Sequence, residues 1–263
     1  MLKEIQLELT NRCNSNCVMC VRDEMTRPIG NMTVKMAKRI IKESSKLGAT
    51  LLKPQFLGES LLYKDFEEVI CYAKEKGMKI VMTTNGSLLE PYLEFIVNNV
   101  DRLWISIDSE DKKKYEQIRR GLKFEVVVEN LKALWEKKIE LKSNIEILIS
   151  VVQTKDNIIN KEEFKDKFSK YCDHIKLHNE SLHRELDGVK RKIICPHFVN
   201  ERLVFGFDGI VYICCHDLLG KYKIGDYKKQ CVSDIWNSKI RKNMIENLEE
   251  LKICQRCMQS LGE

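Results

Sequence analysis

Eleven cysteines run through this 263-residue chain, and their spacing is the first feature that could do chemistry. Cys13, Cys17 and Cys20 fall close together. Cys195, Cys214 and Cys215 lie far downstream, followed by Cys254 and Cys257, while Cys71, Cys172 and Cys231 stand apart. Met1 to Thr10 alternates like a strand and has no signal-peptide core, so the chain reads as cytoplasmic. Clustered thiols in that setting point to metal or redox chemistry rather than disulfides. The three strays are expected to be buried, as small hydrophobes. Cys13-x3-Cys17-x2-Cys20 puts three thiolates on one tight loop that can wrap one face of an iron–sulfur cube and leave one iron open. A structural zinc wants four closed ligands and finds no fourth nearby in sequence. Spacing alone leaves both metals in play.

The elements that must hold this loop can be read from hydrophobic pattern. Strands are expected near 4–10, 50–56, 78–84, 102–108, 144–152 and 174–179, rich in Ile, Val, Leu and Thr. Helical stripes run between them. Thr33 caps one that carries Met36, Ile40 and Leu47 and stops at Gly48; Phe66, Val69, Ile70 and Ala73 form the next, closed by Gly77. Six βα units in series imply parallel strands with helices outside, too few to close an eight-stranded barrel. The expected fold is α/β, an open, partial (β/α)6 TIM-like barrel over residues 1–190. Chemistry in such folds sits at the C-terminal strand ends. Cys13 follows the first strand, Gly58 and Glu59 the second, and Asn85 and Gly86 the third, while Ser106 and Asp108 end the fourth.

In that order these segments resemble the radical S-adenosylmethionine (SAM) superfamily. Its CxxxCxxC loop appears as Cys13 to Cys20, its Gly-Gly-Glu-Pro motif as Leu57-Gly58-Glu59-Ser60, its Thr-Asn-Gly turn as Thr84-Asn85-Gly86 and its Ser-x-Asp strand end as Ser106-Ile107-Asp108. Tyr115-Glu116-Gln117-Ile118-Arg119 is similar too. The resemblance implies a 4Fe-4S cluster on Cys13, Cys17 and Cys20 whose open iron binds SAM, and reductive cleavage of SAM to a 5′-deoxyadenosyl radical that takes a substrate hydrogen atom. It places Gly58 and Glu59 at the SAM amino end, Ser106 at its ribose or carboxylate, and Asn85, Asp108 and Arg119 around it. Arg119 could clamp a carboxylate through paired hydrogen bonds or lie on a helix surface; Asp108 could be a ligand or a strand-end cap. Met19 stands where many members have an aromatic residue against adenine, and Ser60 replaces the usual proline.

Residues 191–263 change character, with short strands at Leu203 to Phe207 and Val211 to Cys214 and one helix around Ile235 to Leu248. Cys195-x13-Gly209-x4-Cys214 resembles the opening of the SPASM domain, and Ile224-Gly225-Asp226 and Ser233 to Ser238 match its style. Cys254 and Cys257 would complete a four-thiolate auxiliary 4Fe-4S site with Cys195 and Cys214. The chain stops six residues after Cys257, which leads us to expect a single auxiliary cluster, the twitch form of the domain. Cys215 is expected to be a packed thiol, with proton chemistry as its alternative. His197 and His216 are expected to be solvated, with hydrogen bonding around the cluster as the other option.

Charge adds little. The formal net charge is +6, and runs such as Lys112-Lys113-Lys114 and Lys190-Arg191-Lys192 lack interleaved aromatics, so no nucleic acid partner is expected. No run approaches the roughly 18 apolar residues of a membrane span. The expected reaction is a two-electron oxidation of a small polar metabolite, with a reducing donor such as flavodoxin or ferredoxin as partner. The alternatives are modification of a ribosomal peptide, and a zinc- or SAM-binding module without activity. The near-immediate start of the first strand leans toward a small molecule. Substrate contacts are expected from the strand ends and from the stretch His178 to Lys192, where no motif names a ligand or a catalytic acid or base.

Overall fold

The computed structural model describes residues 1–153, 157–179, 195, 201–255 and 257. All six expected barrel strands form: β1 (Glu4–Leu7), β2 (Leu51–Lys53), β3 (Lys79–Thr84), β4 (Arg102–Ser106), β5 (Glu146–Gln153) and β6 (His174–Asn179). Between and beyond them come α1 (Val34–Lys46), α2 (Phe66–Glu75), α3 (Leu93–Asn99), α4 (Lys112–Ile118), α5 (Phe124–Glu140) and α6 (Lys161–Phe168). The Thr33 hydroxyl accepts the Met36 N–H at 3.2 Å and starts α1, and Gly48 ends it at φ +97°, a conformation that a side chain resists.

The C-terminal part adds three strands to the same sheet rather than building its own. They are β7 (Arg202–Phe205), β8 (Ile210–Tyr212) and β9 (Lys223–Asp226). The order is β6-β5-β4-β3-β2-β1-β7-β8-β9, with β7 parallel to β1 and the last two pairings antiparallel. Glu4 lies beside Leu51 on one side and Arg202 on the other, and Gln6 beside Lys53 and Val204.

Alternation along the strands defines two faces. Ile5, Leu7, Leu52, Ile80, Met82, Leu103 and Ile105 are buried in one core with Ala37, Ile40 and Ile41 of α1 and Val69, Ile70 and Ala73 of α2. The intervening positions face the concave side, and many there are polar and only half-buried, including Lys53, Thr83, Trp104 and Ser150. Parallel strands are normally apolar on both faces. This inner face therefore borders an accessible hollow.

Three details depart from expectation. The helix expected around Ile235 to Leu248 is two, α7 (Val232–Trp236) and α8 (Lys239–Glu246), because the Ser238 hydroxyl caps a new start by accepting the Arg241 N–H at 3.2 Å. A short α9 (Lys252–Gln255) follows. Cys71 and Cys231 are exposed, so the small-hydrophobe reading holds only for Cys172. The Lys190-Arg191-Lys192 run, His197 and nearly all of the stretch expected to touch substrate lie outside the described residues.

Candidate active site

The thiol loop is built by its neighbours. Gly58 follows β2 at φ +92°, and a Cβ there would stand 2.6 Å from the Thr10 carbonyl oxygen and 2.7 Å from that of Arg12. Only glycine lets the two segments close, and the Glu59 N–H then donates to the Arg12 carbonyl at 2.8 Å. From the other side, the Asn16 N–H donates to Arg120 and the Val18 N–H to Ile118 at the end of α4. Asn85 donates through Nδ2 to Asn14 Oδ1 at 2.8 Å, joining the turn after β3 to the loop.

On this frame the Ser15 hydroxyl touches the Cys13 sulfur at 3.3 Å and the Cys17 sulfur at 3.4 Å. Desolvation, reinforced by the Cys17 and Cys13 thiols, pushes Cys20 up. A metal that binds thiols takes them as thiolates, and Arg119 supplies a balancing cation with Nη1 3.8 Å from Cys17. The residues fit a cluster held on one face. Met19 is half-buried on the same loop.

Glu59, buried after Gly58, has both carboxylate oxygens occupied. Oε1 accepts the Thr84 hydroxyl at 2.8 Å and the Leu61 N–H at 3.3 Å, and Oε2 accepts the Asn85 N–H at 2.8 Å. Burial nonetheless pushes its carboxyl up. Asp108, fully buried past β4, accepts the Val152 N–H at 2.8 Å and pairs with Arg119 Nε at 2.5 Å. Arg119 is thus no surface residue; carboxylate and guanidinium link β4, β5, the end of α4 and the thiol loop. Ser106 is buried beside Ser150 on β5.

In the C-terminal part, burial first, and then Cys195 and Cys257, push Cys254 up to about 12. The buried Cys214 is pushed well up by its hydrogen bond with Cys215 and by burial, with Cys195 adding to it. Cys195 thus stands near both Cys214 and Cys254, and Cys254 near Cys257, although among the described residues no three of these groups stand close enough to hold a metal ion as they are. Cys215 accepts Arg202 Nη1 at 2.8 Å besides its bond with Cys214, and its thiol is pushed down to about 5 by the bond from Cys214, with His216, Arg202 and Lys53 helping. The His216 N–H donates to the Cys214 sulfur at 3.4 Å, so it is the backbone of His216 that meets the cluster side.

Two buried ion pairs escaped sequence reasoning. Arg27 grips Glu8 through two bonds of 2.7 and 2.8 Å, its guanidinium lying 5.7 Å from the Phe56 ring and 5.5 Å from the Tyr212 ring. Glu8 also accepts the Phe207 N–H at 3.1 Å, tying the segment after the thiol loop to the turn after β7. Arg202 holds Glu4 at 2.5 and 2.9 Å, with Lys53 3.2 Å from the same carboxylate. Charged residues at alternate positions of parallel strands were the available signal.

A profile of the radical SAM superfamily matches residues 7–164, and one of an iron–sulfur cluster-binding domain, SPASM, matches residues 195–258. Over 143 residues the chain is 32% identical to a protein of Methanococcus maripaludis described as a probable GTP 3′,8-cyclase, covering 53% of this chain and 46% of that one. Over 119 residues it is 35% identical to the AdoMet-dependent heme synthase of Methanosarcina barkeri, covering 44% and 34%. The matches span less than half the length of these relatives. Among solved structures, BtrN in complex with AdoMet and 2-DOIA has a TM-score of 0.63 at 18% identity, over 98% of this chain and 93% of that one. SuiB of Streptococcus suis bound to the precursor peptide SuiA has a TM-score of 0.72 at 14% identity, over 94% and 67%. The anSMEcpe structure with AdoMet and the Cp18Cys peptide has a TM-score of 0.68 at 16% identity, over 99% and 91%. These three likenesses are of fold.

Proposed function

Because the chain belongs to the radical SAM superfamily and carries its SPASM domain, it is an enzyme that uses SAM and iron–sulfur clusters, and we propose that it oxidises a small polar metabolite by two electrons. Cys13, Cys17 and Cys20 would hold the first 4Fe-4S cluster, and Cys195, Cys214, Cys254 and Cys257 the auxiliary one. The boundary between the two parts would fall near residue 190. When bound, the first cluster and SAM supply the 5′-deoxyadenosyl radical that takes hydrogen from substrate.

The protein's own part is placement. Glu59 would act on SAM indirectly, by fixing the Thr84-Asn85 turn and the peptide after Gly58. Asp108 would hold Arg119 beside Cys17, while Ser106 at the end of β4 and Met19 on the loop would face SAM. The observation that carries the oxidation reading is the paired thiols of Cys214 and Cys215. Cys214 lies near Cys195, and Cys215, bonded to it, accepts from Arg202 beside Lys53. An auxiliary cluster held by its four thiolates would have electron acceptance rather than substrate ligation as its role.

The test is the double variant Cys254→Ala/Cys257→Ala in anaerobically reconstituted protein. It should hold about four irons against about eight in the parent, still release 5′-deoxyadenosine, and yield little oxidised product. Cys215→Ala should keep about eight. Normal product formation by the double variant would count against the acceptor role. Peptide modification is the second reading, favoured by the fold's likeness to SuiB and anSMEcpe with their peptides bound.

A further inference from the structure

The hollow inside the sheet has a chemical character of its own. Gln6 on β1 is 7% exposed, yet its Oε1 has no hydrogen-bond partner, and the buried Oε1 of Gln55, just past β2, has none either. Native structures rarely leave buried amides unmatched without a guest or water to satisfy them. Gln6 shares the concave face with Lys53 by their register, and Gln55 follows Lys53 two residues past the end of β2.

The carboxylates nearby are already matched with guanidinium groups: Glu4 with Arg202, Glu8 with Arg27 and Asp108 with Arg119. Two ammonium groups remain. Lys53 only shares Glu4 with Arg202. Lys176 stands on the same face of β6, exposed, with its ammonium 6.0 Å from the Trp104 ring. His178, next on that face, packs edge-on to Trp104 at 6.2 Å, and burial followed by Lys176 pushes it down, keeping it neutral. Among the described residues, positive charge thus stands on both sides of a concave face whose carboxylates are paired off.

We infer that the hollow is the substrate chamber and that its occupant is a small polar anion, carrying a carboxylate or a phosphate ester, whose charge is met by Lys53 and Lys176 and whose polar groups are met by Gln6 and Gln55. This rests on the oxidation reading for the chemistry but not for the binding. An anion is held where cations outnumber the carboxylates beside them, as Lys53 and Arg202 do around Glu4, whereas a neutral polyol would draw little from either lysine.

Anaerobic titration calorimetry on the reconstituted protein with SAM present tests it, using gluconate, glucose 6-phosphate and glucose as probes. One of the two anions should bind at least tenfold more tightly than glucose, and which one it is separates carboxylate from phosphate. Lys53→Met and Lys176→Met should each cut that preference to less than threefold, with iron content and circular dichroism showing that the variants have folded. Glucose binding as tightly as both anions, a preference that survives both substitutions, or no saturable binding of any probe would each overturn the inference. Oxidised glucose with no charge preference would sink this inference and leave the oxidation reading standing. Anion binding with no oxidised product would do the reverse.

Discussion

At the scale of single residues, Glu59 shows how a motif residue gains structural partners that its own segment does not announce. Its type and place were legible, because an acidic residue after Gly58 at a strand end is visible in the sequence. Its partners were not, since Thr84 and Asn85 come from a different βα unit and only folding brings them within 2.8 Å. Burial outweighs these donors and holds its carboxyl above the ordinary value. The folded chain therefore binds that proton more tightly than the unfolded chain, and the Glu59 contribution to stability falls as pH rises above 4.5, until the raised folded value is passed. Glu59→Gln removes this slope. In urea unfolding at several pH values, the variant should gain on the parent through that window. A difference that stays constant with pH would mean that the carboxyl titrates alike in both states.

Elements carry the next lesson. The six barrel strands were legible because β-branched and leucine-rich runs alternate with helices that stop at glycine. β9 was not, because Gly225 and two charged residues interrupt a segment of only four. The break between α7 and α8 could have been read from Asn237-Ser238, a capping signal inside an apolar stripe. The pairing of β7 with β1 was beyond reach, since neither strand's pattern names a partner so far away. The close contact at Gly58 makes the element-scale prediction. Gly58→Ala must move the backbone at Thr10 and Arg12, and the thiol loop with it. It should reduce the iron of the reconstituted protein from about eight per chain to about four, by emptying the first site and sparing the second. Full iron content would show that the loop tolerates the shift.

At the scale of the whole molecule, Arg27 joins parts that the sequence separates. It reaches Glu8 of the strand end, stacks between Phe56 and Tyr212, and is only 9% exposed. Arg27→Met would leave the Glu8 carboxylate buried without its cation, which costs about 3–5 kcal/mol. Urea unfolding should show a loss of that size; a loss under about 1 kcal/mol would mean that solvent replaces the guanidinium, as at exposed pairs. The seam between β1 and β7 also sets an order in time. Lys3 pairs with Glu201 and Glu4 with Arg202, each 198 residues away, so β1 leaves the ribosome long before its second edge can be covered. Until then its backbone N–H and C=O groups offer themselves to any passing strand. Each nascent chain is therefore born sticky along the very edge that β7 must later reach, and synthesis, rather than collapse of the barrel, times the closing of the sheet.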